Sequence, residues 1–174
     1  KAFTAVELEY MILKSGLDIK SGLLKLKENG LNSIPGGGAE IFDNDIRKIL
    51  CGEKSRTTVW LDIHRKAHEC GISSNATMLY GHIENYQHRI NHLSLLRKMQ
   101  DENPLFNAFI PLKFKRLNNN LKNIEEVSLI EDLRNYAVCR LYLDNIPHLK
   151  AYWPMIGRYN AQLALSFGAD DFDG

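Results

Sequence analysis

Residues 73–112 read SSNATMLYGHIENYQHRINHLSLLRKMQDENPLFNAFIPL, and they carry the clearest structural signal in the chain. The pattern predicts a strand over 73–79, a helix over 86–99 and a second strand over 107–112. Ile90, Leu93 and Leu96 share the apolar side of this helix, which leaves Arg89 and Arg97 for solvent. A strand, a helix and a strand in this order are typical of a βαβ unit with two parallel strands.

The same alternation continues in both directions along the chain. Further strands are predicted at 2–5, 31–34, 143–146 and 169–172, and further helices at 4–16, 18–29, 43–50, 58–70, 128–141 and 151–167. A complete (β/α)8 barrel takes about 250 residues, roughly 30 for each unit. The 174 residues therefore predict an α/β fold of five or six units, which is either a small doubly wound sheet or part of a TIM-type barrel.

Two helix starts carry the Ser/Thr-x-x-Glu pattern of a capping box. Thr4 with Glu7 opens the first helix, and Ser128 with Glu131 opens the helix at 128–141. The pattern of the later helix predicts an apolar stripe that faces the core. Its members are Ile130, Leu133, Ala137 and Leu141.

Composition excludes several classes of protein. Hydrophobic residues make up 44% and charged residues 25%, which is typical of one globular domain. Twenty-two Lys and Arg against 21 Asp and Glu give a net charge of +1, too little for nucleic-acid binding through bulk charge. We expect no membrane span and no signal peptide, and therefore a cytoplasmic protein. Three cysteines at spacings of 19 and 69 residues, Cys51, Cys70 and Cys139, fit reduced thiols.

A glycine-rich turn, Ile34-Pro-Gly-Gly-Gly-Ala-Glu40, follows a predicted strand and precedes a helix. Backbone N–H groups in such a turn can bind an anion. The turn lacks the Lys-Ser or Lys-Thr of a phosphate-binding Walker loop, and Ile41 occupies the position of the last glycine of the dinucleotide fingerprint. Spacing alone leaves a ligand-binding turn and a plain turn equally open.

Polar side chains also follow the strand at 73–79, in the string Thr77-Met-Leu-Tyr80-Gly81-His82-Ile-Glu84. Barrel enzymes place their chemistry at this end of a strand. His82 could act as a general acid or base, and Glu84 could orient it or bind a ligand hydroxyl. The alternative is that His82 and Glu84 only cap the next helix.

Other polar groups favour structural interpretations. His64 with His68 and His88 with His92 are each four residues apart, but neither pair has a further ligand at metal-binding spacing. The acidic run Asp170–Asp173 lacks the glycine and the glutamate of a calcium loop. Phe109, Ile110 and Pro111 are expected in the core, with a flat wall for an aromatic ligand as the alternative.

Five strings in order resemble the aminofutalosine synthase family, radical S-adenosylmethionine enzymes of menaquinone biosynthesis. They are KAFTAVE at 1–7, SIPGGGAEIF at 33–42, NATMLYGHIE at 75–84, FIPL at 109–112 and LDNIP at 143–147. The resemblance covers essentially the whole chain. Cyclic dehypoxanthine futalosine synthase shares the triple-glycine and Tyr-Gly-His strings, and it is the alternative family.

The resemblance implies that residues 1–174 are one partial radical S-adenosylmethionine barrel domain, about strands 3 to 8. In this family a four-iron four-sulfur (4Fe-4S) cluster cleaves S-adenosylmethionine to a 5′-deoxyadenosyl radical. The radical adds to 3-[(1-carboxyvinyl)oxy]benzoate, and 6-amino-6-deoxyfutalosine is formed. A flavodoxin- or ferredoxin-type protein would be the reductant of the full-length enzyme.

The resemblance also implies roles for particular residues. His82 and Tyr80 are candidates for contacting the aryl substrate or for proton transfer. The residues expected near S-adenosylmethionine fall in three groups: Ser33, Gly36, Gly37, Gly38 and Glu40 toward the ribose or methionine part, Thr77, Gly81 and Glu84 in the adenosine region, and Ile110 with Pro111 along the adenine.

The chain departs from the family in one decisive place. No C-x3-C-x2-C run exists, so we expect that this chain binds no cluster and is inactive alone. It also differs from the family at 103–105 and 113–120. An open partial barrel exposes two sheet edges, which predicts self-association. The alternatives are a non-catalytic nucleotide-binding half-barrel module and a cluster-free barrel that uses His82 and Glu84 as acid and base.

Overall fold

The computed structural model describes residues 1–52, 56–118 and 120–174. Within these ranges there are five strands and eight α-helices, followed near the end by a 3-10 turn at Leu165–Phe167. The strands are β1 Ser33–Ile34, β2 Ser73–Tyr80, β3 Phe106–Lys113, β4 His148–Tyr152 and β5 Asp171–Asp173. The helices are α1 Ala5–Ser15, α2 Ile19–Glu28, α3 Asn44–Cys51, α4 Thr57–Glu69, α5 Tyr86–Glu102, α6 Leu129–Tyr142, α7 Trp153–Ile156 and α8 Arg158–Ala164.

The sheet topology decides between the two predicted architectures. The strands lie in the order β1-β2-β3-β4-β5, and every neighbouring pair is parallel. Crossover connections between parallel strands are right-handed, so a sheet in sequential order carries all its helices on one face. A doubly wound sheet would instead reverse its strand order and cover both faces. The fold is therefore an α/β sheet of the partial-barrel type.

Alternation along β2 shows which face the helices cover. Ala76, Met78 and Tyr80 belong to the hydrophobic core that packs against the helices. Thr77 and Leu79 point to the opposite face, because successive side chains alternate. Thr77 is paired with Ile110 of β3 in the sheet register. That second face corresponds to the interior of a closed barrel.

Local signals explain the helix starts. The Thr4–Glu7 capping box is present, and the Asp18 side chain caps α2. Asp43 caps α3 by accepting hydrogen bonds from the backbone amides of Asp45 and Ile46. The chain before α1 was predicted as a strand, but residues 1–4 have no regular structure. Thr4 already serves as the N-cap there, and one backbone hydrogen bond, from Ala2 N to Ser33 O at 3.2 Å, joins this segment to β1.

The predictions for the last third of the chain need two corrections. The predicted strand at 143–146 is a turn after α6, and the strand lies at His148–Tyr152 instead. The predicted helix at 151–167 begins later and is divided into α7, α8 and the 3-10 turn. Gly157, with φ of 85°, separates the two helices, since a left-handed residue cannot continue an α-helix.

Helix α6 is rotated relative to the sequence prediction. Ile130 and Leu141 are 71% and 81% exposed, so the predicted apolar stripe is wrong at both ends. The buried positions are Asp132, Asn135, Tyr136 and Cys139. The buried face is polar because Asp132 has partners on the strands, and these partners outweigh the local apolar pattern.

Two further expectations concern particular groups. The sequence predicts that Arg89 faces solvent, but Arg89 is only 8% exposed. Its guanidinium is buried because it forms ion pairs with the carboxylates of Glu84 and Glu131. The three cysteines are free thiols, as predicted. None of the helices in the described ranges is long and apolar enough to cross a membrane.

Candidate functional site

A pocket of about 460 Å³ lies where the carboxyl ends of β2 and β3 meet the loop after β1. Parallel barrels bind substrates at this end of their strands. The pocket walls include Glu40 after β1, Leu79 of β2, Lys113 and Phe114 at the end of β3, and Met155 of α7. Residues of α3 and of the loop after β3 also line it, so several separate segments contribute to one site, as in a barrel active site.

The glycine-rich turn after β1 packs directly on β2. A Cβ atom at Gly36 would lie 2.7 Å from the backbone oxygen of Asn75, so only glycine fits there. The Thr77 hydroxyl donates a hydrogen bond of 2.7 Å to the Gly36 carbonyl. Two of the residues predicted near S-adenosylmethionine, Gly36 and Thr77, are thus brought together.

The carbonyl groups of this turn point toward buried donors. The Trp60 indole N–H donates to the Gly37 carbonyl at 3.3 Å, and the Arg47 guanidinium donates to the carbonyls of Gly38 (3.0 Å) and Ala39. Burial lowers the pKa of Arg47, with the charges of Cys51 and Glu40 acting in the opposite direction. Sequence reasoning missed Arg47, because nothing local to α3 shows that its partners are in the preceding turn.

Two residues of the turn have left-handed backbone. Gly38 has φ of 85° and Glu40 has φ of 46°. The Glu40 carbonyl accepts a hydrogen bond of 2.7 Å from the Leu79 amide, which attaches the end of the turn to the end of β2. Glu40 is also one of the residues that line the pocket.

His92 of α5 fixes the chain beyond the turn. Its Nδ1 accepts a hydrogen bond from the Phe42 amide at 3.1 Å, and its Nε2 lies 2.9 Å from the Thr77 carbonyl oxygen. These partners select the neutral ring with the proton on Nε2. Burial lowers the pKa of His92 to about 3. The sequence prediction that this histidine packs rather than binds a metal agrees with these contacts.

The loop after β2 is organised around the Glu84 carboxylate. It accepts hydrogen bonds from the amides of Gly81 (2.6 Å) and His82 (2.8 Å) and from Arg89 Nε (2.8 Å). Burial raises the pKa of Glu84, but His82, the Gly81 amide and Arg89 outweigh burial and hold that pKa below its usual value. Glu84 therefore stays ionised and orients the loop, and its side chain is inaccessible to solvent.

His82 is buried within the same loop. Its Nε2 lies 3.0 Å from the Leu79 carbonyl oxygen, and its Nδ1 lies 3.1 Å from Glu84 Oε2. Burial lowers the pKa of His82, and the Glu84 charge opposes this effect. The next helix is capped by Asn85 and His88, so the predicted alternative of a cap made by His82 and Glu84 is wrong.

Tyr80 does not reach the pocket face. It is fully buried on the helix side of β2, where its hydroxyl donates to Asp132 Oδ1 at 2.8 Å. Lys113 Nζ donates to the other oxygen of Asp132 at 2.7 Å and to the Val127 carbonyl at 2.8 Å. Burial raises the pKa of Tyr80, which keeps the phenol protonated. The structure thus engages the Tyr80 hydroxyl with Asp132 of α6.

The remaining predicted residues are spread along the sheet. Ile110 shares the pocket face with Thr77, whereas Pro111 pairs with Met78, which packs toward the helices. Ser33 pairs with Ser73 at the amino end of β2, about 20 Å along the strand from Leu79. Ser33 is therefore separated from the loop at Gly81–Glu84.

The side chains present do not fit an iron–sulfur cluster. Within the described residues, no group of three or more His, Cys, Asp or Glu side chains could hold a metal. Burial raises the pKa of Cys139 to about 12, so this thiol is a poor ligand. His64 and His68 share the Ser74 hydroxyl at 2.9 and 2.8 Å, which explains their spacing without a metal.

Comparison with known proteins agrees with the motifs. Residues 103–174 match the family described as the CofH/MqnC C-terminal region. The whole chain is 46% identical to aminodeoxyfutalosine synthase of Thermus thermophilus, of which it covers 48%, and 42% identical to that of Streptomyces coelicolor, again covering 48%. Over 99% of its length it is also 42% identical to 5-amino-6-(D-ribitylamino)uracil–L-tyrosine 4-hydroxyphenyl transferase of Methanococcus aeolicus, covering 49% of that protein.

Comparison with solved structures supports the fold. The crystal structure of methylornithine synthase (PylB) superposes with a TM-score of 0.66 at 19% identity, over 90% of this chain and 44% of that one. The chain spans about half the length of the curated relatives it matches. The resemblance predicted from the motifs is confirmed: the chain is similar to aminodeoxyfutalosine synthases over its whole length, and its residues 103–174 match the CofH/MqnC C-terminal region.

Proposed function

We propose that the protein containing this chain is a radical S-adenosylmethionine transferase. It adds the 5′-deoxyadenosyl radical to 3-[(1-carboxyvinyl)oxy]benzoate and forms 6-amino-6-deoxyfutalosine. The observation that carries the proposal is the 46% identity to aminodeoxyfutalosine synthase over the whole chain. The pocket at the carboxyl ends of the strands supports it, because barrel enzymes act there.

The full-length enzyme uses S-adenosylmethionine and a 4Fe-4S cluster in this proposal. The cluster would supply the electron that cleaves S-adenosylmethionine, and its ligands would come from residues other than those of this chain. A flavodoxin- or ferredoxin-type protein in the cytoplasm would deliver that electron. We expect the 174-residue chain to be inactive alone.

This chain would contribute one wall of the ligand pocket. The turn from Gly36 to Glu40 is held against β2, so its backbone is already arranged before a ligand binds. Such preorganisation reduces the entropy cost of binding. Gly81 directly follows β2 and Ile110 lies on β3, and we propose that they belong to the adenosine and adenine regions.

His82 is proposed to hold a proton during the reaction. Its Nε2 stays on the Leu79 carbonyl, and a proton accepted at Nδ1 would face the Glu84 carboxylate, whose Oε2 lies 3.1 Å from Nδ1. An opposite charge at this distance stabilises the imidazolium. Tyr80 supports the loop through Asp132 in this proposal, since its hydroxyl is engaged on the helix side.

The test is an anaerobic assay of the full-length protein with a chemical reductant, S-adenosylmethionine and 3-[(1-carboxyvinyl)oxy]benzoate. We expect 6-amino-6-deoxyfutalosine by mass spectrometry. An active cluster that cleaves S-adenosylmethionine without forming this product would overturn the proposal. His82→Gln in the same assay is expected to lower kcat by at least tenfold, within the usual range for a lost acid–base group.

One observation favours a second candidate. The 42% identity to the archaeal transferase is nearly as high and extends over 99% of this chain. Its name describes transfer of a 4-hydroxyphenyl group from L-tyrosine to 5-amino-6-(D-ribitylamino)uracil. Supplying these two substrates in a parallel reaction discriminates the candidates, since product in this arm and none in the first would favour the transferase.

A further inference from the structure

The first turn of α6 reaches the loop after β2 through a buried ion network. Arg89 of α5 donates to Glu84 Oε1 through Nε at 2.8 Å and to Glu131 Oε1 of α6 through Nη1 at 2.8 Å. The side chains of Glu84, Arg89 and Glu131 are 0%, 10% and 14% exposed. Two carboxylates on different elements therefore share one buried guanidinium.

Further contacts restrict Arg89 to this place. Its guanidinium lies over the ring of Tyr80, 5.4 Å from the centroid, and over the ring of Tyr86 at 5.3 Å. The amide oxygen of Asn135 on α6 is 3.5 Å from its Nη1. A planar guanidinium that has aromatic rings and carboxylates around it loses little entropy for each hydrogen bond it forms.

The contact between Glu131 and Arg89 replaces one half of the capping box that the sequence predicts at the start of α6. The Ser128 hydroxyl accepts from the Glu131 amide at 3.3 Å, but the Glu131 carboxylate does not return to the N-cap backbone. It binds Arg89, and also Arg134 and the Tyr86 hydroxyl, both at 2.9 Å. A local stabilising contact is given up for a contact with α5.

We propose that Arg89 and Glu131 are positioning residues for the loop Gly81–Glu84. Glu131 fixes the guanidinium, the guanidinium fixes the Glu84 carboxylate, and that carboxylate holds the Gly81 and His82 amides. The contacts described above define the network. Only the identity of the ligand that the loop faces rests on the proposed function. The C-terminal half of the chain thereby sets the geometry of a loop that comes before it in the sequence.

The test uses the charge of His82, which this network surrounds. Glu84 raises the pKa of His82, whereas Arg89 and His88 of α5 lower it. Arg89→Met removes a nearby positive charge, so the His82 pKa is expected to rise by about one unit. Glu131→Gln removes a negative partner of Arg89, so the same pKa is expected to fall by about half a unit. Hydration of His82 by a loosened loop would add to the rise in Arg89→Met and oppose the fall in Glu131→Gln, so hydrogen exchange at the loop amides is the readout of loop position.

The measurement is an NMR titration of the full-length protein labelled with 15N-histidine, with His82→Gln to assign the resonance. The matched control is the ion pair of Arg97 and Asp144, which joins α5 to the turn after α6 in a more exposed position. Arg97→Met and Asp144→Asn are expected to leave the His82 pKa unchanged. Hydrogen exchange at the Gly81 amide reports the position of the loop directly, and we expect it to accelerate in Arg89→Met and in Glu131→Gln but not in the Arg97 and Asp144 variants.

Arg89→Met removes the guanidinium that two largely buried carboxylates share, so a conservative variant accompanies it. Arg89→Lys can satisfy one carboxylate and is expected to raise the His82 pKa less than Arg89→Met does. If neither Arg89 variant folds, Glu131→Gln alone tests the proposal. Unchanged hydrogen exchange at the Gly81 amide in Glu131→Gln overturns the proposal. Because no activity is measured, this result is independent of whether the proposed reaction is correct.

Discussion

Gly36 shows how one residue without a side chain can position a site. A Cβ atom there would meet the Asn75 oxygen at 2.7 Å and backbone atoms of Ala76 at 2.8 and 2.9 Å. Backbone atoms in the middle of a sheet cannot move aside as a side chain can. The turn can therefore approach β2 closely enough for the Thr77 hydroxyl to reach the Gly36 carbonyl.

Gly36→Ala is expected to reduce the free energy of unfolding by about 1–3 kcal/mol, the usual cost of overpacking. The neighbouring variant Gly37→Ala is the matched control. Its Cβ would meet only the Thr4 methyl group at 3.2 Å, which a side chain can accommodate. We expect a cost below about 1 kcal/mol there. Urea denaturation of both variants is the measurement, and equal costs would contradict the argument.

The predictability of single residues from sequence depended on where their partners lie. The Thr4–Glu7 capping box was correct because both partners lie within one helical turn. Arg47 and Arg89 were not recognised, since partners such as Glu131 lie on another element, 42 positions along the chain from Arg89. No local pattern contains that information.

At the scale of the element, helix α6 buries two polar side chains and exposes two large apolar ones. Its buried side carries Asp132 and Asn135, while Ile130 and Leu141 are exposed. Asp132 is satisfied by Tyr80 and Lys113 at the ends of β2 and β3. A buried carboxylate without such partners would be strongly destabilising, so these hydrogen bonds fix the rotation of the helix.

The double variant Ile130→Glu with Leu141→Lys tests this rotation. Both side chains face solvent, and the new charges complement the dipole at each end of the helix. We expect the melting temperature of the full-length protein to stay within about 3 °C, since exposed substitutions change stability by about 0.5 kcal/mol or less. Tyr136→Ala, on the buried face, should cost about 3–5 kcal/mol. A large loss in the double variant would contradict the observed rotation.

The strands differ in how well their sequence predicts them. β2 and β3 were predicted to within one residue at each end, because turn residues bound both strands and a periodic helix lies between them. β4 was displaced by several residues. Its sequence, HLKAY, is short and alternates polar and apolar residues, and the stronger apolar signal lay in the preceding turn. The pocket end of the sheet could be predicted, but the side-chain directions at Tyr80 and His82 depend on α6 and could not.

For the whole molecule, three buried histidines join the helix layer to the sheet. His64 and His68 share the Ser74 hydroxyl on β2, and His92 bridges Thr77 and Phe42. Burial lowers the pKa of His68 to about 4 and that of His92 to about 3, and it lowers the pKa of His64 as well. All three rings are neutral in the folded protein at neutral pH.

These histidines predict a specific loss of stability in mild acid. The unfolded chain takes up protons as pH falls below about 6.5, whereas the folded chain does not until its lowered pKa values are reached. Each buried histidine therefore removes up to about 1.4 kcal/mol of unfolding free energy per pH unit below about 6.5. The pKa of Glu84 is held below its usual value, so this carboxylate adds little to the loss in this range, and the Asp132 pKa, which burial raises, acts in the opposite direction. His92→Gln should be less stable than the parent at pH 7.5, because it loses two buried hydrogen bonds, but its stability should fall less steeply with pH. Urea denaturation at half-unit steps measures both slopes, and parallel slopes would show that His92 is protonated in the folded protein.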